Sequence, residues 1–296
     1  MMKMKEKIDL VQALVELYRM TSVCLPKDVK EKIKEIREKE TSVLAKKVME
    51  SIEQNLEIAE KKNLPLCEDT GIPIFFIEIP KSFNQNEIKE RILKATEIAT
   101  EKNFLRPNAV DCLTQKNSGN CVGKGIPTIY FEQKERTGIK FNLMLKGGGS
   151  ENIGKTYSLP NPVLNAGRDL DGIRKCILDA VVKAQGLGCP PTVVSIVVGG
   201  SKDVIAFESK KQLLEKLGEK TEGKEKEVEE FEQKLLEEIN SLGIGPMGLK
   251  GKNTVMDVKA KFLHRHPASF FVEVSFMCWA DRRHSLEWKN GEAEYR

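Results

Sequence analysis

The sequence predicts an α+β fold: a mixed β-sheet with flanking helices and an N-terminal helical region. Three observations predict it. Helical and strand-like segments alternate with no uniform βαβ rhythm and no internal repeat. Residues 8–63 read almost entirely as helix. Beyond them, short β-branched and apolar runs recur between amphipathic segments.

The elements follow in order. Ile8, Val11, Leu14, Val15 and Tyr18 recur at helical spacing. After a loop at Pro26 the same pattern resumes at Val29, Ile33, Ile36, Leu44, Val48, Ile52, Leu56 and Ala59, and Asn63-Leu64-Pro65 ends it. Ile74–Ile77 reads as a strand, residues 86–103 as a helix, and 128–131 and 139–145 as strands. A helix is expected over 169–187, with Ile173, Cys176, Ile177, Ala180 and Val181 on its apolar face. The run 193–198 suits a strand buried on both sides. Residues 208–241, dense in Lys and Glu, read as a solvent-facing helical pair broken near Gly218 and Gly223. Strands at 255–263 and 270–276 flank Arg265-His266-Pro267. No linker divides the chain, so 1–296 is expected to form a single catalytic domain, with room for two lobes.

Composition narrows the function. Lys+Arg 48 against Asp+Glu 44 gives a net charge of +4, too small a field to suggest nucleic acid or an anionic membrane as partner. No run approaches the ~18–20 apolar residues of a membrane span. The start, Met1-Met2-Lys3-Met4-Lys5-Glu6-Lys7, lacks the apolar core of a signal peptide. A cytoplasmic protein is expected, where thiols stay reduced, and the seven cysteines then need a role other than disulfides.

Cys176 reads as a core thiol. Cys67, Cys189 and Cys278 each stand at an element boundary, where side chains can converge on a site. No pair has the short spacing of a zinc ribbon or a bacterial ferredoxin. Glu68 and Asp69 would put carboxylates beside any metal at Cys67. Gly147-Gly148-Gly149-Ser150 offers consecutive backbone N–H groups, as a nest or as a plain turn. Arg106 could fork a carboxylate or sit on the surface. His266, one of three His, could serve as an acid–base group or be structural.

Taken together and in order, Cys67-Glu68-Asp69-Thr70-Gly71, Lys146-Gly147-Gly148-Gly149-Ser150-Glu151-Asn152, Gly188-Cys189-Pro190-Pro191, Arg265-His266-Pro267 and Cys278-Trp279-Ala280 resemble the α subunit of class I, iron–sulfur fumarate hydratase, in the fumarase/tartrate dehydratase family. The resemblance spans about residues 8–288. It implies a 4Fe–4S cluster on Cys67, Cys189 and Cys278, with one iron left open to act as a Lewis acid. It implies Asp69 and His266 near the departing water, and Arg106 with the Gly148 and Gly149 backbone on the carboxylates of a small dicarboxylate. Glu68 departs from the Gln common in the family, and an unpaired carboxylate there would repel such a substrate. The resemblance further implies a separate β subunit supplying the proton-abstracting base, docked on an apolar face near the cysteine loops. The expected reaction is reversible hydration of fumarate to (S)-malate; the alternatives are an L-tartrate dehydratase α subunit and a non-catalytic iron–sulfur or zinc protein.

Overall fold

The computed structural model describes residues 8–219 and 223–296; the charged start at 1–7 and the middle of the Lys/Glu-rich run at 220–222 lie outside the described residues. The chain forms two compact units. One comprises residues up to Pro26 with Asn55–Gly148 and Arg282–Arg296; the other comprises Lys27–Gln54 and Gly149–Asp281.

In the first unit α1 (Leu10–Val23) and α4 (Gln85–Glu101) pack on a sheet built from β1 (Ile72–Ile79), β2 (Thr128–Gln133), β3 (Ile139–Lys146), β8 (Arg283–Lys289) and β9 (Glu292–Tyr295). The strand order is β2-β1-β3-β8-β9, parallel between β1 and β2 and antiparallel elsewhere. Asp9 caps α1 by accepting from Val11 N at 2.9 Å, and Asn84 caps α4 from Asn86 N at the same distance. Tyr18 fixes the helices to the sheet. Its ring meets Phe75 edge-on at 5.7 Å, and its hydroxyl pairs with Thr96 Oγ1 at 2.7 Å.

The second unit holds the sheet β4-β7-β5-β6, from β4 (Lys155–Ser158), β5 (Thr192–Val198), β6 (Val255–Phe262) and β7 (Phe271–Met277). β5 and β6 are parallel, and β7 is antiparallel to both β5 and β4. All seven residues of β5 are buried because helices cover both faces. Val194, Ile196 and Val198 join α6 (Leu170–Ala184) and α8 (Lys226–Ser241) in one core. On the other face α7 (Lys202–Gln212) brings Gln212 to Ser195 at 3.1 Å and Ser209 to Ser275 at 3.0 Å.

The mixed α+β reading holds, with differences in detail. The N-terminal helical run is three helices, α1, α2 (Lys27–Lys39) and α3 (Val43–Lys62). The second break arises because the Glu40 carboxylate captures Thr41 N and Ser42 N at 2.8 and 3.0 Å. The charged segment is not one solvent-facing pair: α7 begins at Lys202, lies against the sheet and ends at Gln212, and α8 buries Leu235 and Ile239. The Gly147-Gly148-Gly149 run enters a short helix, α5 (Gly148–Asn152). Among the described residues, no helix is long and apolar enough to cross a membrane.

Candidate active site

The Cys67–Gly71 loop joins α3 to β1 and is tied down at both ends. Leu66 is buried, its N–H donates to Ser22 O at 2.9 Å, and its carbonyl accepts from Asn55 Nδ2 at 2.8 Å. Gly71 has φ +80°, and a Cβ there would lie 2.7 Å from the Lys146 backbone, so the turn into β1 requires glycine. Between these anchors Cys67 is exposed and Asp69 half-buried. Asp69 Oδ1 accepts from Gly71 N at 2.9 Å, and Oδ2 accepts from Gly148 N at 2.8 Å. A carboxylate offers about four lone-pair sites, so the two bonds found among the described residues do not exhaust it. Buried Thr70 accepts Arg106 N at 2.9 Å, which fixes Arg106 beside the loop. The Arg106 guanidinium meets Glu68 Oε1 at 3.0 Å, with both side chains largely in solvent.

In the second unit Cys189 and Cys278 come together at one end of the sheet. Cys189 precedes β5, Cys278 follows β7, and Val193 pairs with Met277 between them. Trp279 N donates to Cys189 O at 3.1 Å. Cys189 has φ 54°, a left-handed conformation that costs a non-glycine residue free energy and persists only when its surroundings fix it. They do so here: Cys189 N donates to Gly186 O at 3.1 Å, and Met247 N donates to Pro190 O at 2.8 Å. Cys189 is exposed and Cys278 partly so.

His266 lies elsewhere. The Leu263–Phe270 loop leaves β6 and enters β7 at the Val198 end of β5, opposite the cysteines. The seven residues of β7 separate the two ends by roughly 20 Å. The structure therefore does not bring His266 to Cys189 and Cys278. His266 Nδ1 accepts Ala268 N at 3.1 Å, so the neutral ring carries its proton on Nε2.

The profile of the fumarate hydratase (Fumerase) family matches residues 11–287. The chain belongs to that family. Among its relatives, a Geobacillus stearothermophilus protein designated a candidate class I fumarate hydratase is 42% identical over 93% of this chain, which spans only 54% of that protein. A Methanocaldococcus jannaschii protein designated a candidate L(+)-tartrate dehydratase subunit alpha is 40% identical, covering 91% of this chain and 94% of its own length. The L(+)-tartrate dehydratase subunit alpha of Escherichia coli K12 is 31% identical over 97% of this chain and 94% of its own.

Within this fumarate hydratase family member five of the seven cysteines fall into two groups, with half-buried Cys24 and exposed Cys112 outside both. Cys121 and Cys176 are fully buried, and burial pushes each thiol up to about 11. Cys67, Cys189 and Cys278 reach solvent from fixed loops, and soft thiolates are the ligands that iron–sulfur clusters use. The donor chemistry thus fits a cluster. Among the described residues, no three His, Cys, Asp or Glu already stand grouped around one point. The Gly148 N–H, expected on a substrate carboxylate, is held by Asp69.

Three residues were given no role in the sequence reading: Thr70, Arg282 and Arg168. Arg282 Nη1 donates to Asp69 O at 2.6 Å. Arg168 Nη1 and Nη2 donate to Pro267 O and Ala268 O at 3.1 and 2.9 Å, bracing the His266 loop. Thr70 belonged to a quoted motif. The two arginines carried no signal beyond their residue type.

Proposed function

We propose that this chain is the α subunit of an iron–sulfur hydro-lyase that interconverts fumarate and (S)-malate. The Asp69 loop is the observation that carries the reading. An exposed thiol and a carboxylate stand two residues apart, and each carboxylate oxygen is oriented by a backbone N–H. Cys67, Cys189 and Cys278 would hold a 4Fe–4S cluster. When bound, it supplies Lewis acidity at an iron without a protein thiolate, easing departure of hydroxide with no net redox change.

The chain's own residues do the rest. Asp69 gives a proton to the departing hydroxyl in dehydration and takes one from water in hydration. Arg106 forks one substrate carboxylate. Its exposed pair with Glu68 is worth only about 0–1 kcal/mol, so a substrate carboxylate can displace Glu68. The Gly149 backbone contacts the second carboxylate. His266 can act at the same centre as Cys189 and Cys278 only if a second copy of the chain brings it there, because its own sheet holds it away. A β subunit supplies the base for the carbon-bound proton and closes over the substrate. On the first unit Leu64, 51% exposed and close in sequence to Cys67, and on the second Leu187, 70% exposed and close in sequence to Cys189, are apolar side chains that a partner could cover.

L-tartrate dehydration is the second reading. It is favoured by the near-complete overlap with tartrate dehydratase alpha subunits and by Glu68, whose carboxylate can accept a hydrogen bond from a substrate hydroxyl. The test is anaerobic reconstitution with a candidate β subunit, metal analysis, and assay of fumarate, mesaconate and L-tartrate side by side. About four irons and four sulfides per chain with fumarate turnover support the reading. Turnover of L-tartrate alone selects the second. One zinc and no turnover would establish a non-catalytic protein.

A further inference from the structure

Arg282 is the largest fully buried side chain in the first unit, only 1% exposed. A buried guanidinium is expensive unless its donors are matched. Here the matching is sparse. Nη1 donates to Asp69 O at 2.6 Å, and among the described residues Nε has no partner. Nη2 lies against Gly147, where a Cβ would come within 3.4 Å of it and 2.9 Å of Asp69 Oδ2. The residue's own backbone is locked at the end of β3 by Leu145 N to Arg282 O at 3.0 Å. The cation thus sits behind the turn in which Asp69 O is held by Arg282 and Asp69 Oδ2 holds Gly148 N. An apolar side chain of similar length would fill the space without the desolvation penalty of a buried cation, but it would leave the Asp69 carbonyl without this donor.

We propose that Arg282 is the positioning residue for Asp69. Its guanidinium fixes the Asp69 carbonyl and holds the carboxylate-bearing turn in register with Gly147-Gly148. The proposal rests on the acid–base role given to Asp69 above.

The test is a double-mutant cycle in the anaerobically assembled holoenzyme, with amide hydrogen exchange on the full chain as an activity-independent readout. Arg282→Met lowers kcat by about 10²-fold, the scale of a displacement near 1 Å, with KM within about threefold of wild type. Iron content and the melting temperature hold, because a buried cation has been replaced by an apolar chain. Arg282→Lys recovers about tenfold of the loss, since a point charge reaches the carbonyl without the planar fork. In an Asp69→Asn background, Arg282→Met costs less than about threefold more, because both act through one group. Exchange at the Gly71 and Gly148 amides rises in Arg282→Met. Additive losses, or unchanged exchange at those amides, would overturn the proposal. If Asp69→Asn alone turns over at the wild-type rate, the acid–base reading of Asp69 fails and the proposal falls with it. A lowered melting temperature that Arg282→Lys fully restores together with kcat would make Arg282 structural only.

Discussion

The Cys67–Gly71 loop and the Leu263–Phe270 loop use one device in two environments. Each carries an acid–base candidate, and in each an arginine distant in sequence donates to the loop's carbonyls. At Asp69 the arginine is buried, and both carboxylate oxygens are engaged by backbone N–H groups. At His266 the braces, Arg168 and Arg265, are exposed, and Arg265 adds donation to Ser269 O and a stack over Phe270 at 4.8 Å. Water can replace an exposed donor but not a buried one. The first loop therefore holds a fixed carboxylate, while the second holds a ring whose backbone is braced but whose surroundings are solvent.

The comparison breaks most visibly at the acid–base groups themselves. Asp69→Asn should lower kcat by about 10²-fold or more, and His266→Asn by a similar factor, the usual scale for a positioned proton-transfer group. Steady-state kinetics of the assembled enzyme measure both. A His266 effect present only in the oligomer would sharpen the case for a second copy at the site. Next comes Arg106→Lys, which should raise KM by about tenfold with little change in kcat, because a bidentate fork becomes a point charge. Arg168→Gln should change kcat by less than about threefold, since water can serve the freed Pro267 and Ala268 carbonyls. A loss as large as that from Asp69→Asn would erase the distinction between the two loops.

The smallest effect concerns the buried thiols. With Cys121 and Cys176 pushed up to about 11, only ~10⁻³ of either is thiolate at pH 8, and the reactive form grows as pH rises toward that value. Alkylation of the cluster-free chain at pH 8, read by peptide mass spectrometry, should modify Cys67 and Cys189 long before either.

The fold was legible where apolar pattern carries it. The run 193–198 announced β5 because both of its faces are buried, and α6 announced itself through Ile173, Cys176, Ile177 and Ala180. β8 and β9 were missed because Leu286 and Trp288 are the only large apolar residues in β8, and β9 is a sheet-edge strand of Glu, Ala and Tyr. At the candidate site, motif residues were readable and their partners were not. Asp69 and Arg282 are 213 positions apart, and Asp69 and Gly148 are 79 apart. His266 shows the converse. It stands twelve residues before Cys278, yet the strand between them carries the chain across the sheet.

The central claim is that Cys67, Cys189 and Cys278, not the buried Cys121 and Cys176, hold an iron–sulfur cluster. Iron and acid-labile sulfide per chain, measured after anaerobic reconstitution of Cys67→Ser, Cys189→Ser, Cys278→Ser and Cys176→Ser, test it most directly. A serine oxygen is a poor substitute for thiolate on iron. The account predicts loss of both iron and sulfide in the first three variants and wild-type content in Cys176→Ser. Full content in any of the first three, or loss in the fourth, would contradict it.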